Sequence, residues 1–285
     1  MRVAVTGAAG FVGSAVVARL REHGHDVTPL TRREWDITTG PYPIAADAVV
    51  HCAALADDWA PLGTAMLANR VGTRNVVASL AGARLVHVST ASVYDAFTPT
   101  VKVREDAAPV TRFLSSYAES KTAAEGEVPA GAVVLRPHAV YGPGDTTLLP
   151  RILAGIRGGR LVLPSGANVS HTLTHIDNLT HAVELALTGP AGVYNIGDDT
   201  DVLLAAVLRE FLTRRGADAR ITAIPYAAAF AAASASERLS FGRRPRITRY
   251  AVSQVGLERT LDLTAAREGL GYVPGPTTLA GAEGW

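Results

Sequence analysis

Tyr117 and Lys121 stand four residues apart in the stretch SSYAESKTAAE. On a helix that spacing puts both on one face, one turn apart, so the lysine ammonium can reach the tyrosine ring end. A phenol beside a cation is a candidate acid and base, because the ammonium favours phenolate and lowers a pKa that is ordinarily about 10. The same spacing also occurs as ordinary helix decoration, so the pair needs support from elsewhere in the chain. Support begins near the N-terminus, where TGAAGFVG sets Gly7, Gly10 and Gly13 between a strand-like run and a helical one. The first glycine permits a sharp turn, the second lets backbone approach a pyrophosphate, and the third lets helix pack closely on strand. The helix N-terminus then offers free N–H groups and its positive dipole end to phosphates, so the loop predicts dinucleotide binding.

The second strand-like segment, DVTPL, exits into Thr31, Arg32 and Arg33. A carboxylate at that strand end would accept from the ribose of NAD, whereas two guanidinium groups suit a 2′-phosphate through paired charge-assisted bonds. NADP(H) is therefore the expected cofactor, with NAD(H) as the alternative and a solvated arginine face as the plain structural reading. Asp36 and Ile37, slightly further on, border the adenine in this scheme.

Such a loop works only at the edge of a parallel sheet, and the chain is organised to make one. RVAVT, DVTPL, AVVHCAA, RLVHVST, AVVLRPHAVYG and GVYNIGD alternate with helical patterns, among them Phe11 to His23 and residues 66–80. Nearly continuous apolar strands between helices predict a Rossmann-type, doubly wound α/β fold. Val12, Val16 and Leu20 recur every fourth residue, the stripe of a helix packed on a sheet. Residues 36–46, DITTGPYPIAA, carry two prolines and a glycine where a crossover helix would lie, which predicts a loop there. The alternation fades after residue 198. The expected division is a dinucleotide-binding domain over 1–198 and a smaller C-terminal substrate lobe over 199–285, with parts of 142–175 packing against the lobe. The alanine tract PYAAAFAAASASE forms a helix in this reading, or is mobile as low-complexity sequence.

Bulk properties narrow the partners. A chain of 285 residues with 48% hydrophobic content can bury a large core. Its 27 basic and 26 acidic residues leave a net charge of +1, no surplus to draw it to nucleic acid or anionic membrane. A small-molecule substrate is expected instead. The single cysteine, Cys52, allows no internal disulfide, and its apolar VVHCAAL setting reads as a buried, inert thiol. The sequence starts directly on a strand pattern, and no apolar run reaches membrane-spanning length, so a cytoplasmic location is expected. Eight histidines form neither an H-E-x-x-H motif nor a Cys/His cluster, so no metal site is expected.

In order, TGAAGFVG, HCAA, NRVGTRNV, VSTASVYD, YAESK and LRPHAVYGPGD resemble the extended short-chain dehydrogenase/reductase family over about the first half of the chain. LTHIDNLTHAVELAL, GVYNIGDD and LDLTAAREGLGYVP look like its second half, and GPGDTTLLPRIL with RPRITRY is similar to its 3β-hydroxysteroid dehydrogenase-like branch. The resemblance implies that Tyr117 is the proton donor or acceptor, Lys121 its activator and a ribose ligand, and Thr90 the hydroxyl that orients the substrate oxygen. It implies a cofactor site of Gly7, Gly10, Phe11, Val12 and Gly13, with Ala53 and Ala54 beside the adenosine and pyrophosphate. Asn69 and Ser89 join that set, as do Pro137 and Val140 beside the nicotinamide. Ala91, Ser92 and His138 are the candidate substrate contacts, and the family suggests a homodimer through two sheet-flanking helices.

Relatives that dehydrate nucleotide sugars carry an acidic pair directly after the threonine, where this chain has Ala91 and Ser92, which argues against a dehydratase. The expected function is an NADP(H)-dependent oxidoreductase interconverting a ketone and a secondary alcohol, acting as a ketoreductase. A nucleotide-sugar epimerase or 4-ketoreductase is the runner-up, for which the basic run FGRRPR at 241–246 could hold a diphosphate. A non-catalytic dinucleotide sensor would need Thr90, Tyr117 or Lys121 to be absent, and all three are present.

Overall fold

In the computed structural model, which describes residues 1–285, six β-branched runs become one sheet. Its strands are β1 (Arg2–Thr6), β2 (Asp26–Leu30), β3 (Ala48–His51), β4 (Arg84–Val88), β5 (Val133–Pro137) and β6 (Gly192–Ile196). They pair in the order β2-β1-β3-β4-β5-β6, and every pairing is parallel. Successive side chains point to opposite faces, so each strand serves two cores. Val3, Val5, Val50, Val86 and Leu135 pack with Val16, Leu20, Leu179 and Val183 from helices Phe11–Glu22 and Ile176–Ala186. Ala4, Val49 and Leu85 instead meet Leu30, Trp35, Ile44 and Val76 on the other face. The fold is the expected doubly wound parallel sheet.

The connection from β2 to β3, residues 31–47, contains no helix, as its prolines and glycine predict. It covers the sheet with its own side chains: Trp35 and Ile44 are buried, and the Trp35 ring stacks on Tyr42 at 5.5 Å. This connection takes the chain across β1, so the strand order switches direction at the carboxyl end of β1, the position where ligands bind in open α/β sheets.

A second core joins Tyr141, Leu149, Ile152, Leu161 and Leu163 to Leu204, Leu208, Phe211 and Leu279. Beside it, short segments Thr100–Val103, Ser170–His171, Val202–Leu203 and Arg259–Leu261 form a four-stranded sheet. The alanine tract is helical over Tyr226–Arg238 and packs on helix Arg249–Gly256, burying Ala229 and Ala233 against Val252. No helix is long and apolar enough to cross a membrane.

Candidate active site

The glycine loop fits a phosphate-binding turn on geometry. Gly7 has φ +69°, and a Cβ there would stand 2.6 Å from the Ala53 backbone nitrogen; a Cβ on Gly13 would stand 2.1 Å from the Gly7 carbonyl oxygen. Gly10 N–H donates to the Gly7 carbonyl at 2.9 Å and closes the turn. Helix Phe11–Glu22 then begins with no side-chain cap and no acidic residue in its first turn, so its leading N–H groups stay open to an anion. Ala53 and Ala54 lie two and three residues past the end of β3, and Ala53 N–H donates weakly to Thr6 Oγ1 at 3.4 Å. Phe11 faces Gly144 across the cleft, and Val12 packs on the main core. Gly13→Ala must push helix away from strand. It is expected to cost about 1–3 kcal/mol, to lower Tm by roughly 3–10 °C and to weaken dinucleotide binding. Unchanged binding and melting would show that the loop can yield.

At the end of β2 the two carboxylates are already spent. Glu34 accepts from Thr31 N–H and Thr31 Oγ1, and Asp36 accepts from Arg32 Nε at 3.0 Å and from both N and Oγ1 of Thr38. The Thr38 bonds, with Arg32 behind them, hold the Asp36 carboxyl at about 2. Asp36 therefore organises the turn. Arg33 is exposed and forms no ion pair, and Arg32 keeps its terminal nitrogens in solvent. Ile37 packs where a Gly72 side chain would stand, 2.6 Å from that Cβ position, so it borders the helix instead of projecting freely.

Ser115 caps helix Ser116–Glu125 by accepting from Ala118 N–H at 3.2 Å, and Tyr117, Lys121 and Glu125 fall on one face. Lys121 is only 2% exposed. Its ammonium donates to the Val88 carbonyl at 2.9 Å and lies 3.4 Å from His87 Nε2. The carbonyl at the end of β4 thus anchors this ammonium, one helical turn from Tyr117 and on the same face. Burial lowers the Lys121 pKa to about 8, with Glu125 opposing. Glu125 itself is held by Arg136 at 2.7 Å and by Ser89 Oγ, so the lysine has no direct carboxylate partner. Ser89 therefore spends its hydroxyl hydrogen on Glu125 and its backbone N–H on the Leu135 carbonyl. Burial pushes the Tyr117 phenol up, and the neighbouring Thr90 hydroxyl pulls against that rise. Asn69 lies in a π-helical turn, Met66–Val71, accepting from Leu55 N–H at 2.7 Å and donating to Ser120 Oγ at 2.8 Å. It fixes the tyrosine helix against its neighbour.

Thr90 caps a short turn, Ala91–Val93: its oxygen accepts from Ser92 N–H at 3.1 Å and its hydroxyl donates to Ser92 Oγ at 3.0 Å. His138 is buried, with Nε2 3.3 Å from His171 Nδ1; burial, then His171 and Arg259, keeps it neutral well below the usual histidine range. It lines a small cavity with Ala91, Tyr94 and Arg259. Pro137 ends β5 opposite Ile196, and Val140 pairs with Thr174. Cys52 is partly buried, and its thiol is pushed up to about 12, consistent with an inert role.

Sequence spacing did not reveal a polar cluster assembled from distant parts of the chain. Asp58 is buried among Arg151, Arg244 and Thr248 at 2.7, 3.0 and 2.8 Å. Two residues beyond Thr248, the Tyr250 hydroxyl lies 2.7 Å from Ser92 Oγ. Only Tyr250's place after a helix-capping threonine could have hinted at it.

Residues 3–197 match the NAD dependent epimerase/dehydratase family. The chain belongs to that family. It is 30% identical over 313 residues to a 2-alkyl-3-oxoalkanoate reductase of Stenotrophomonas maltophilia, covering 96% of this chain and 95% of the relative. It is 31% identical over 318 residues to a 4-hydroxy-2-methyl-3-oxo-4-farnesyl-3,4-dihydroquinoline-1-oxide ketoreductase of Stigmatella aurantiaca, covering 99% and 95%. Its fold is similar to that of dTDP-4-dehydrorhamnose reductase from Bacillus anthracis in complex with NADP, with a TM-score of 0.73 and 19% identity, covering 99% of this chain and 97% of that one. The protein is an NAD(P)-dependent oxidoreductase of the short-chain dehydrogenase/reductase type.

Proposed function

We propose that this protein is an NADP(H)-dependent ketoreductase that reduces a ketone to a secondary alcohol with Tyr117 as the acid. The observation that supports this reading is the Thr90 hydroxyl beside Tyr117 just past the end of β4, with Lys121 one turn along the same helix and anchored on the Val88 carbonyl. Gly7, Gly10 and Gly13 with the open helix end would hold the pyrophosphate, and Arg32 and Arg33 the 2′-phosphate. The bound cofactor supplies hydride to the carbonyl carbon. As charge develops on the oxygen, Tyr117 passes its hydroxyl proton to it and Thr90 donates a hydrogen bond. Lys121 stabilises the phenolate that remains. The reverse transfers oxidise an alcohol. Two near-full-length relatives named as reductases support the reduction of an oxo group beside a branched or prenylated carbon skeleton.

The epimerase or 4-ketoreductase reading loses part of its support, because Arg244 in the basic run is committed to Asp57 and Asp58. The test is titration of purified protein with NADPH and NADH, followed by turnover of 2-alkyl-3-oxo esters. NADPH is expected to bind at least about tenfold more tightly, and Arg32→Ser/Arg33→Ser to erase that preference, in keeping with loss of charge-assisted phosphate bonds. A retained preference moves the selector elsewhere; stoichiometric, slowly exchanging NAD would favour the epimerase.

A further inference from the structure

We propose that Tyr250, from the C-terminal lobe, is a positioning residue that acts through Ser92 to hold and polarise the Thr90 hydroxyl beside Tyr117. This inference rests on the reading of Tyr117 as the proton donor. The three oxygens form a chain: Tyr250 OH lies 2.7 Å from Ser92 Oγ, and Ser92 Oγ lies 3.0 Å from Thr90 Oγ1. Thr90 and Ser92 are both buried, so these hydroxyls have few competing partners.

The chain settles a donor shortage. In the resting arrangement Thr90 spends its one hydrogen on Ser92. To serve a substrate oxygen it must turn that hydrogen outward, leaving Ser92 Oγ without its donor. Tyr250 can donate to Ser92 Oγ in its place, and Ser92 can then donate to Thr90 Oγ1. Each hydroxyl in the row then donates toward the reacting oxygen, and each bond strengthens the next.

Independent contacts keep Tyr250 in place. Thr248 caps its helix by accepting from Ala251 N–H at 3.0 Å and donates to Asp58 Oδ2 at 2.8 Å. The Asp58 segment also receives the tyrosine helix, because Ser116 Oγ donates to the Ala60 carbonyl at 2.7 Å. One turn beyond Tyr250, Ser253 Oγ accepts from Arg259 at 2.7 Å. The lobe and the tyrosine helix are therefore tied to the same loop, and the hydroxyl chain closes only when the lobe is seated.

The test is a double-mutant cycle of Tyr250→Phe, Ser92→Ala and the pair, with NADPH and ethyl 2-methyl-3-oxobutanoate as the probe. Each single change is expected to lower kcat about tenfold, the worth of one hydrogen bond, with KM and NADPH affinity unmoved. The double variant should be no slower than Ser92→Ala, because Tyr250 acts only through Ser92. Additive losses, an effect on KM alone or an unchanged kcat would overturn the proposal. Should Tyr250→Phe fail to fold, Tyr250→His, which can still donate to Ser92, replaces it: kcat retained there but lost in Tyr250→Leu supports the chain, and equal losses in both overturn it. If wild-type protein does not reduce the probe, the ketoreductase reading fails separately. The chain is then read without substrate by phenolate absorbance of the NADP-bound protein, with Tyr117→Phe isolating the Tyr117 titration. Tyr250→Phe and Ser92→Ala should each shift that titration upward, and an unshifted titration refutes the chain.

Discussion

Tyr117→Phe lowers ketone turnover by about three orders of magnitude, with NADPH affinity and folding stability nearly unchanged. The Tyr117 phenol lies beside Thr90 and keeps its proton at neutral pH, whereas Ser92 and Tyr250 bond to each other, Lys121 donates to the Val88 carbonyl and His138 lies against His171. Burial raises the Tyr117 pKa, so at neutral pH the residue is fully in its acid form, the form that reduction consumes. Oxidation of an alcohol needs the phenolate and should gain rate as pH rises, while reduction does not. Phenylalanine keeps the ring and its packing, so neither the helix nor the glycine loop is disturbed. Single-turnover NADPH oxidation, nucleotide titration and Tm measured on the same preparations separate chemistry from folding. Turnover within a few fold of wild type would remove Tyr117 from the reaction.

The parallel sheet was legible because its strands are continuous apolar runs, and the 31–47 loop because Pro41, Pro43 and Gly40 forbid a helix there. The glycine turn was legible for a similar reason: Gly7 and Gly13 are fixed by backbone contacts within a few residues or across one strand pair. Local spacing also put Tyr117 and Lys121 on one face. It could not say where the lysine points, because Val88 and His87 come from a strand more than thirty residues upstream. The same limit hid the Glu125–Arg136 pair, which occupies the carboxylate one turn past Lys121, and the Asp58 cluster, whose partners lie on two distant segments. The basic run 241–246 looked free in sequence, yet Arg244 is held by acidic residues nearly two hundred positions away. Motifs carried by local backbone geometry can be read along a chain; a side chain's partner depends on tertiary packing.

Lys121→Met is expected to separate activity from stability. Its ammonium is buried without a carboxylate partner, and its pKa falls from 10.5 to about 8 because burial disfavours the charge. That drop corresponds to a penalty of about 3 kcal/mol on the protonated fold at neutral pH. Methionine fills similar space without charge, although it leaves the Val88 carbonyl unpaired, at a cost of about 1–3 kcal/mol. At pH 7 the variant should therefore be at least as stable as wild type. The pH dependence gives the sharper sign. Between about pH 8 and 10.5 the unfolded wild-type chain binds more protons at this lysine than the folded one, so wild-type stability rises with pH there. The variant lacks this rise, and its relative advantage should shrink by about 3 kcal/mol from pH 7 to pH 10.5. Turnover should nevertheless fall by about two orders of magnitude, because the phenolate left by proton transfer loses its counter-charge. Urea unfolding of both proteins across that pH range, with turnover measured at pH 7, tests both halves. A stability difference that does not vary with pH would mean that Lys121 is not the buried cation described, and retained turnover would mean that Tyr117 works without it.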